Sequence, residues 1–271
     1  MKSAPLTYQR ASALPDILSG NSEMNSMFIA GGQSLLPMLA LRVARTDKLI
    51  HIKDVPELNV IEETAREVRI GAGLTHAAFE DGRVPDEGAG LMRDVAADIA
   101  YRAIRNLGTI GGSVALADPA ADWPLCLIAL SARAFIQGQN GSRDLWVDDL
   151  IKGAYETSLR DGELITSFMI PKLPAHARVG RCKLTKKKGA FSMSHAIAIL
   201  APGYNKAYIS GVDTRPLLLR STSEALARDG AQINLADVIA ADLSPYLDAQ
   251  SYEFRMIHAV ASDAIMQALS K

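Results

Sequence analysis

The chain of 271 residues has only two cysteines, Cys126 and Cys182, far apart and in unlike surroundings. That excludes a disulfide framework and a Cys-x-x-Cys metal or redox site, so no iron–sulfur cluster is expected on this chain. The five histidines (His51, His76, His176, His195 and His258) show no metal-ligand spacing. There is no Gly-x-Ser-x-Gly turn for a nucleophile, no Gly-Lys-Ser/Thr phosphate loop and no carboxylate pair with an evident acid–base role. A net charge of -1 gives no support to binding of nucleic acid or of an acidic membrane. No apolar run reaches membrane-spanning length: residues 197–201 form a strand-sized stretch before Pro202. The N-terminus, Met1-Lys-Ser-Ala-Pro, lacks the apolar core of a signal peptide, so the cytoplasm is the expected compartment. Hydrophobic residues at 48% and charged residues at 22% are ordinary globular values, and the length allows two or three subdomains.

What the chain does have is a pair of glycine turns. The central one is Ile104-Arg-Asn-Leu-Gly-Thr-Ile-Gly-Gly-Ser113, followed by Val-Ala-Leu-Ala and then Asp118-Pro-Ala-Ala-Asp122. The pattern predicts an amphipathic helix over 92–104 leading in, a short apolar strand after Gly112, and a helix over 123–132 leading out. Gly111 and Gly112 let the backbone approach a ligand closely and aim successive N–H groups at one place, which suits a phosphate or pyrophosphate. Taken alone, such a pair reads first as a tight turn between helix and strand. The chain repeats the feature in Phe28-Ile-Ala-Gly-Gly-Gln-Ser-Leu-Leu-Pro-Met38. There a β-prone run over 27–30 ends in Gly31-Gly32, and a helix begins near Ser34 or Leu35. Ser34 is positioned to cap it, and Pro37 is tolerable in a first turn. Two phosphate-suited turns point to one ligand with two phosphates held from both sides, a dinucleotide.

The remaining pattern reads as α+β. Residues 1–55 suggest a small βαβ unit, with a helix over 11–18, strands at 27–30 and 48–53 and a helix over 35–43. Residues 56–172 suggest a larger mixed unit. It has a strand over 68–73, a helix over 76–80 capped by Thr75, a hairpin turning at residues 138–141 and a strand over 164–170. Asp148 or Asp149 is placed to cap a short turn. Gly71-Ala-Gly73 imitates the start of Gly-x-Gly-x-x-Gly, but His76 stands where a small residue must allow helix–strand packing. Residues 173–271 suggest an antiparallel meander (180–186, 192–200, 206–212, 215–220) followed by helices over 223–228, 235–241 and 252–269. The last helix carries a stripe of Phe254, Ile257, Val260, Ala261, Ala264, Ile265 and Leu269. The most basic cluster, Lys183 with Lys186, Lys187 and Lys188, reads as a solvated strand end, as help for a phosphate or as a docking surface. Asp122 reads either as a helix-end carboxylate favoured by the dipole or as an acceptor for a nucleotide hydroxyl.

The two turns in this order and spacing, with Asp118-Pro-Ala-Ala-Asp122, resemble the FAD-binding medium subunit of molybdenum hydroxylases, the xanthine dehydrogenase and carbon monoxide dehydrogenase family. The resemblance runs over nearly the whole chain, from Tyr8-Gln-Arg-Ala to Tyr252-Glu-Phe-Arg-Met. It implies a flavin-binding domain over 1–172 and a C-terminal α+β domain over 173–271. It implies FAD contacts at Ala30, Gly31, Gly32, Gln33, Ser34 and Leu35, and at Thr109, Ile110, Gly111, Gly112 and Ser113. Asp122 would reach the nucleotide, and Phe191, in Gly189-Ala-Phe-Ser192, would lie near the isoalloxazine ring. The family's usual aspartate at that point is Ala190 here, and two histidines it often carries are Leu116 and Tyr101. Such a chain would work as an oxidoreductase subunit, in a dimer of heterotrimers with a small iron–sulfur subunit and a large molybdopterin subunit. Electrons would pass from [2Fe–2S] clusters through FAD to an external acceptor. A flavin-binding assembly subunit without turnover and a stand-alone flavin oxidase are the rival readings. The scarcity of acid–base groups favours electron transfer.

Overall fold

The computed structural model describes residues 2–19, 25–86 and 88–271. The chain builds three main sheets in succession, and helices fill the space between them. The first sheet holds β1 (Thr7–Arg10), β2 (Ser26–Ile29) and β3 (Lys48–His51), with α1 (Leu14–Ser19) and α2 (Leu35–Ala40) between them. Its order is β1-β3-β2 and both pairings are parallel. The βαβ pattern is therefore as expected, and β1 joins it as a strand that the sequence did not signal.

The second sheet is antiparallel. It contains β4 (Ile61–Glu63), β5 (Glu67–Gly71), the hairpin β6 (Arg133–Gly138) and β7 (Gly141–Trp146), and β10 (Leu164–Pro171), in the order β4-β5-β10-β6-β7. Between β7 and β10 lie α8 (Val147–Leu150) and the small hairpin of β8 (Ile151–Gly153) and β9 (Glu156–Thr157). Asp148 and Asp149 fall inside α8 rather than capping it, because Trp146 occupies the cap position. Between β5 and β6 run α3 (His76–Glu80), α4 (Leu91–Ala97), α5 (Arg102–Arg105), α6 (Ile110–Leu116) and α7 (Asp122–Ala129).

Two expectations fail in that helical stretch. The single helix over 92–104 is broken: Ala100 has φ +44°, and Tyr101 restarts the chain in an extended conformation before α5. Arg105 holds the break, since its guanidinium donates to the carbonyls of Ile99 (2.9 Å) and Ala100 (3.1 Å) and pairs with Glu80 at 2.7 Å. The segment after Gly112 is the helix α6, not a strand. Thr109 caps it, its Oγ1 accepting from the Gly112 N–H at 3.1 Å, and that cap offsets the poor helix propensity of two glycines.

The third sheet is the expected meander, β11 (Arg178–Thr185), β12 (Ser192–Ala201), β13 (Tyr204–Ser210) and the short β14 (Leu217–Leu218). Strand β12 is buried on both faces. Ile197 and Ile199 join the core shared with α7 and the second sheet, while Ala196, Ala198 and Leu200 face the helices that follow. Those helices are α9 (Arg220–Asp229), α10 (Leu235–Leu243) and α11 (Tyr252–Leu269). The stripe on α11 is buried as predicted except at Leu269, whose place is taken by Ala268. Every residue of α7 is buried, and it packs on α4, α6 and β12. It thus ties the central turn to the third sheet.

Candidate functional site

The first turn grows directly out of β2. Gly32 has φ +69°, a left-handed conformation that favours glycine, and the Gln33 side chain donates back to the Gly31 carbonyl at 2.9 Å. Ser34 does precede α2, but its hydroxyl makes no capping bond. The usual recipients are absent: Pro37, third in the helix, has no N–H, and the Leu36 N–H already donates to the Gly32 carbonyl at 3.1 Å. The backbone N–H groups of Gly32, Gln33, Ser34 and Leu35 likewise have no hydrogen bond among the described residues. These are the free donors an anion requires.

The second turn works differently from the expected nest. The N–H groups of Ile110, Gly111 and Ser113 donate to Leu74, Ala72 and Thr109 carbonyls at 2.9–3.1 Å, and that of Gly112 donates to Thr109 Oγ1. Gly111 lies against Ala72, where a Cβ would come 2.7 Å from the Ala72 carbonyl oxygen, and Ile110 is fully buried. These bonds hold the turn in shape while Thr109, Gly112 and Ser113 present its outer surface.

The two turns touch. A Cβ on Gly31 would overlap the Leu107 carbonyl oxygen and lie 2.7 Å from Gly108 Cα. From this junction opens a cavity of about 500 Å³, in the range of ligand pockets. Of the residues expected at the site, Gly31, Gly32, Gln33, Ser34 and Leu35 line it on one side. Thr109, Gly112, Ser113 and Asp122 line it on the other, and Phe191, 70% exposed, stands at its mouth. Ala30, Ile110 and Gly111 do not reach it; they are the backbone and core behind the turns. Ala190 and Leu116 are at the cavity wall, and Tyr101 is exposed outside it.

The cavity floor contains a buried charge cluster. Asp122 opens α7, yet Ala121 is the cap residue, and the carboxylate faces β11 and β12 instead. Its Oδ2 accepts from Lys183 Nζ at 2.8 Å, and both side chains are more than nine-tenths buried. Lys183 also donates to the Asp98 carbonyl at 3.1 Å. Lys183 is therefore no solvated strand end, although Lys186, Lys187 and Lys188 are exposed as expected. His195 Nδ1 lies 3.1 Å from Asp122 Oδ1, close but out of line for a hydrogen bond. Burial alone would raise the Asp122 pKa; the histidine and the lysine outweigh it and hold the carboxyl below its usual value.

Sequence reasoning passed over His76. Thr75 caps α3 as predicted, accepting from the Ala78 N–H, and this sets His76 at the start of the helix. Its Nδ1 accepts from the Nε1–H of Trp123, fully buried, at 2.9 Å, and the ring lines the cavity beside Gly108. No spacing rule flags this pair, because 47 residues separate its members. Burial lowers the His76 pKa to about 4, with Asp122 raising it and Arg105 lowering it; burial also lowers that of His195.

A histidine kept neutral by folding binds its proton more readily in the unfolded chain. Stability is therefore full above the unfolded value of 6.5 and falls as the pH drops from there toward about 4. Replacing His76 by Gln should flatten that fall by an amount on the order of 3 kcal/mol. Urea unfolding across this range measures it; an unaltered slope would show that His76 is not the titrating group.

Comparison with known proteins places this architecture. The family described as the FAD binding domain in molybdopterin dehydrogenase matches residues 4–173. The glyceraldehyde dehydrogenase medium chain of Sulfolobus acidocaldarius is 31% identical over 253 residues, covering 90% of this chain and 89% of that one. The nicotine 6-hydroxylase medium subunit of Paenarthrobacter nicotinovorans is 37% identical over 186 residues, 69% of this chain, and the match spans 64% of the relative's length. Among solved structures, a carbon monoxide dehydrogenase from Hydrogenophaga pseudoflava contains a chain that superimposes with TM-score 0.92 at 26% identity, covering 100% of this chain and 99% of that one. Quinoline 2-oxidoreductase from Pseudomonas putida 86 gives TM-score 0.89 at 27% identity, with coverage of 100% and 99%.

Proposed function

Since the chain belongs to the family of FAD-binding domains of molybdopterin dehydrogenases, we propose that it is the flavin-carrying, electron-transferring medium subunit of a heteromeric molybdenum hydroxylase. The observation that carries the reading is the cavity between the two turns, with four free N–H donors on one side and a charge-balanced floor on the other. The donors at Gly32, Gln33, Ser34 and Leu35 suit the pyrophosphate of FAD. Asp122 and Lys183 offer an acceptor and a cation to the rest of the nucleotide, and Phe191 offers an apolar ring at the mouth.

Flavin, when bound, supplies the step between one- and two-electron chemistry; the protein supplies position, electrostatics and exclusion of water. The iron–sulfur and molybdopterin centres belong, in this reading, to partner subunits; within the described residues no group of three or more His, Cys, Asp and Glu could hold a metal. The proposal extends to a dimer of heterotrimers, with electrons entering from [2Fe–2S] clusters and leaving to an external acceptor. It extends also to a cytoplasmic setting, supported by two free cysteines. No described helix is long and apolar enough to cross a membrane. Residues 1–172 are taken as the flavin-binding part; residues 173–271 add Lys183 and Phe191 to its cavity.

Copurification from the native host, followed by flavin and metal analysis, tests the reading. One FAD per chain is expected, with iron and molybdenum in accompanying small and large subunits. A free single chain that oxidised a substrate without either metal would overturn it in favour of a stand-alone oxidase.

A further inference from the structure

Trp123 fixes more than the position of His76. An indole N–H can only donate, so the imidazole nitrogen it meets must be the unprotonated one. The proton of the neutral ring then lies on Nε2. That nitrogen faces the second turn: a Cβ on Gly108 would sit 2.7 Å from it, and among the described residues it has no hydrogen-bond partner. His76 is 6% exposed, and the ring lines the cavity. Its main chain is tied to the same turn, its N–H donating to the Gly108 carbonyl at 3.0 Å.

We propose that His76 is a neutral hydrogen-bond donor to the bound dinucleotide, with Trp123 as the positioning residue that locks its tautomer. This rests on the flavin reading above. A donor without charge suits a site whose charges are already paired. Asp122, on α7, is held by Lys183, and Arg105, on α5, by Glu80. Just past the end of α3, Asp81 is held by Arg102. The lock also resists protonation. A second proton on Nδ1 would face the indole N–H, which adds to burial in keeping the ring neutral where a free histidine would titrate. The cavity then keeps one donor and constant charge across the ordinary pH range.

The test is titration of the full chain, stripped of flavin, with FAD. His76→Phe removes the donor and should weaken binding about tenfold, whereas His76→Gln, which restores an N–H near the same place, should stay within about threefold of the parent. Trp123→Phe leaves His76 present but unlocked. With burial still opposing the charge, the His76 pKa should rise from about 4 toward the free value without reaching it. FAD affinity should then begin to fall at a higher pH than in the parent, a shift that the double variant with His76→Gln lacks. Equal binding by the parent and His76→Phe, or a pH profile for Trp123→Phe that coincides with the parent's, would overturn the inference. If His76→Phe does not fold, the Trp123→Phe profile decides. A parent chain that binds no FAD would overturn the flavin reading itself, and this inference with it.

Discussion

Gly31→Ala is expected to abolish flavin retention. The added methyl group has no free space: it meets the Leu107 carbonyl oxygen and Gly108 Cα, which are backbone atoms and cannot swing aside as a side chain would. Overpacking of this kind costs roughly 1–3 kcal/mol where the surroundings can yield. Here yielding means separating the turn that carries the free N–H donors from the turn that forms the opposite wall. The cavity is built on that junction, so affinity should fall far more than stability. Gly112→Val is the companion experiment. A Cβ there meets only Thr109 Oγ1, at 2.9 Å, so the disturbance is confined to the cavity wall and to the cap of α6. Both variants should lose stoichiometric flavin, but only Gly31→Ala should do so by moving the loops apart. Flavin absorbance of the purified proteins, with far-UV circular dichroism to confirm folding, distinguishes the outcomes. Full flavin occupancy in Gly31→Ala would mean that the junction of the turns is not part of the site.

The parts of this molecule that were legible in the sequence are those governed by local chemistry. Adjacent glycines at the end of β2, the Thr75 cap and the apolar run at the end of β12 each left a mark within a few residues. The misreadings arose where distant groups decide the local form. Gly111 and Gly112 discourage a helix, and α6 forms because Ala72 and Leu74 accept its first N–H groups. The helix over 92–104 breaks because Arg105 reaches back to the carbonyls at its break, a contact invisible to hydrophobic periodicity. The site divides in the same way. The two turns were visible as motifs, but the pairing of Lys183 with Asp122 spans 61 residues and that of His76 with Trp123 spans 47. A lysine read within its own run of Lys186, Lys187 and Lys188 looks solvated; only its place on β11, facing the start of α7, makes it a buried cation.

That cation underlies the other large effect expected. Among the described residues, Asp122→Ala removes the one carboxylate paired with Lys183 and leaves a buried ammonium with only the Asp98 carbonyl. Breaking a buried ion pair from one side costs about 3–5 kcal/mol, far above the cost of losing a surface pair. Lys183→Met should cost a comparable amount, since it strands the carboxylate beside His195. The double variant should be less destabilised than the two single losses added together, because neither charge is then left alone. Acidification gives an independent check. The Asp122 pKa is held below its usual value, so its contribution to stability is complete above about 3.9, the unfolded value, and is lost as the pH falls through the lower folded value. In Asp122→Ala that acid-side loss should vanish. Flavin affinity completes the experiment. If Asp122 also accepts from the nucleotide, Asp122→Ala weakens FAD binding about tenfold to a hundredfold. Urea unfolding of the four proteins, each with its FAD titration, measures both effects. Strict additivity of the single losses would show that the two side chains do not act as a pair, and unchanged FAD affinity in a folded Asp122→Ala would leave the carboxylate with a purely structural role beneath the cavity.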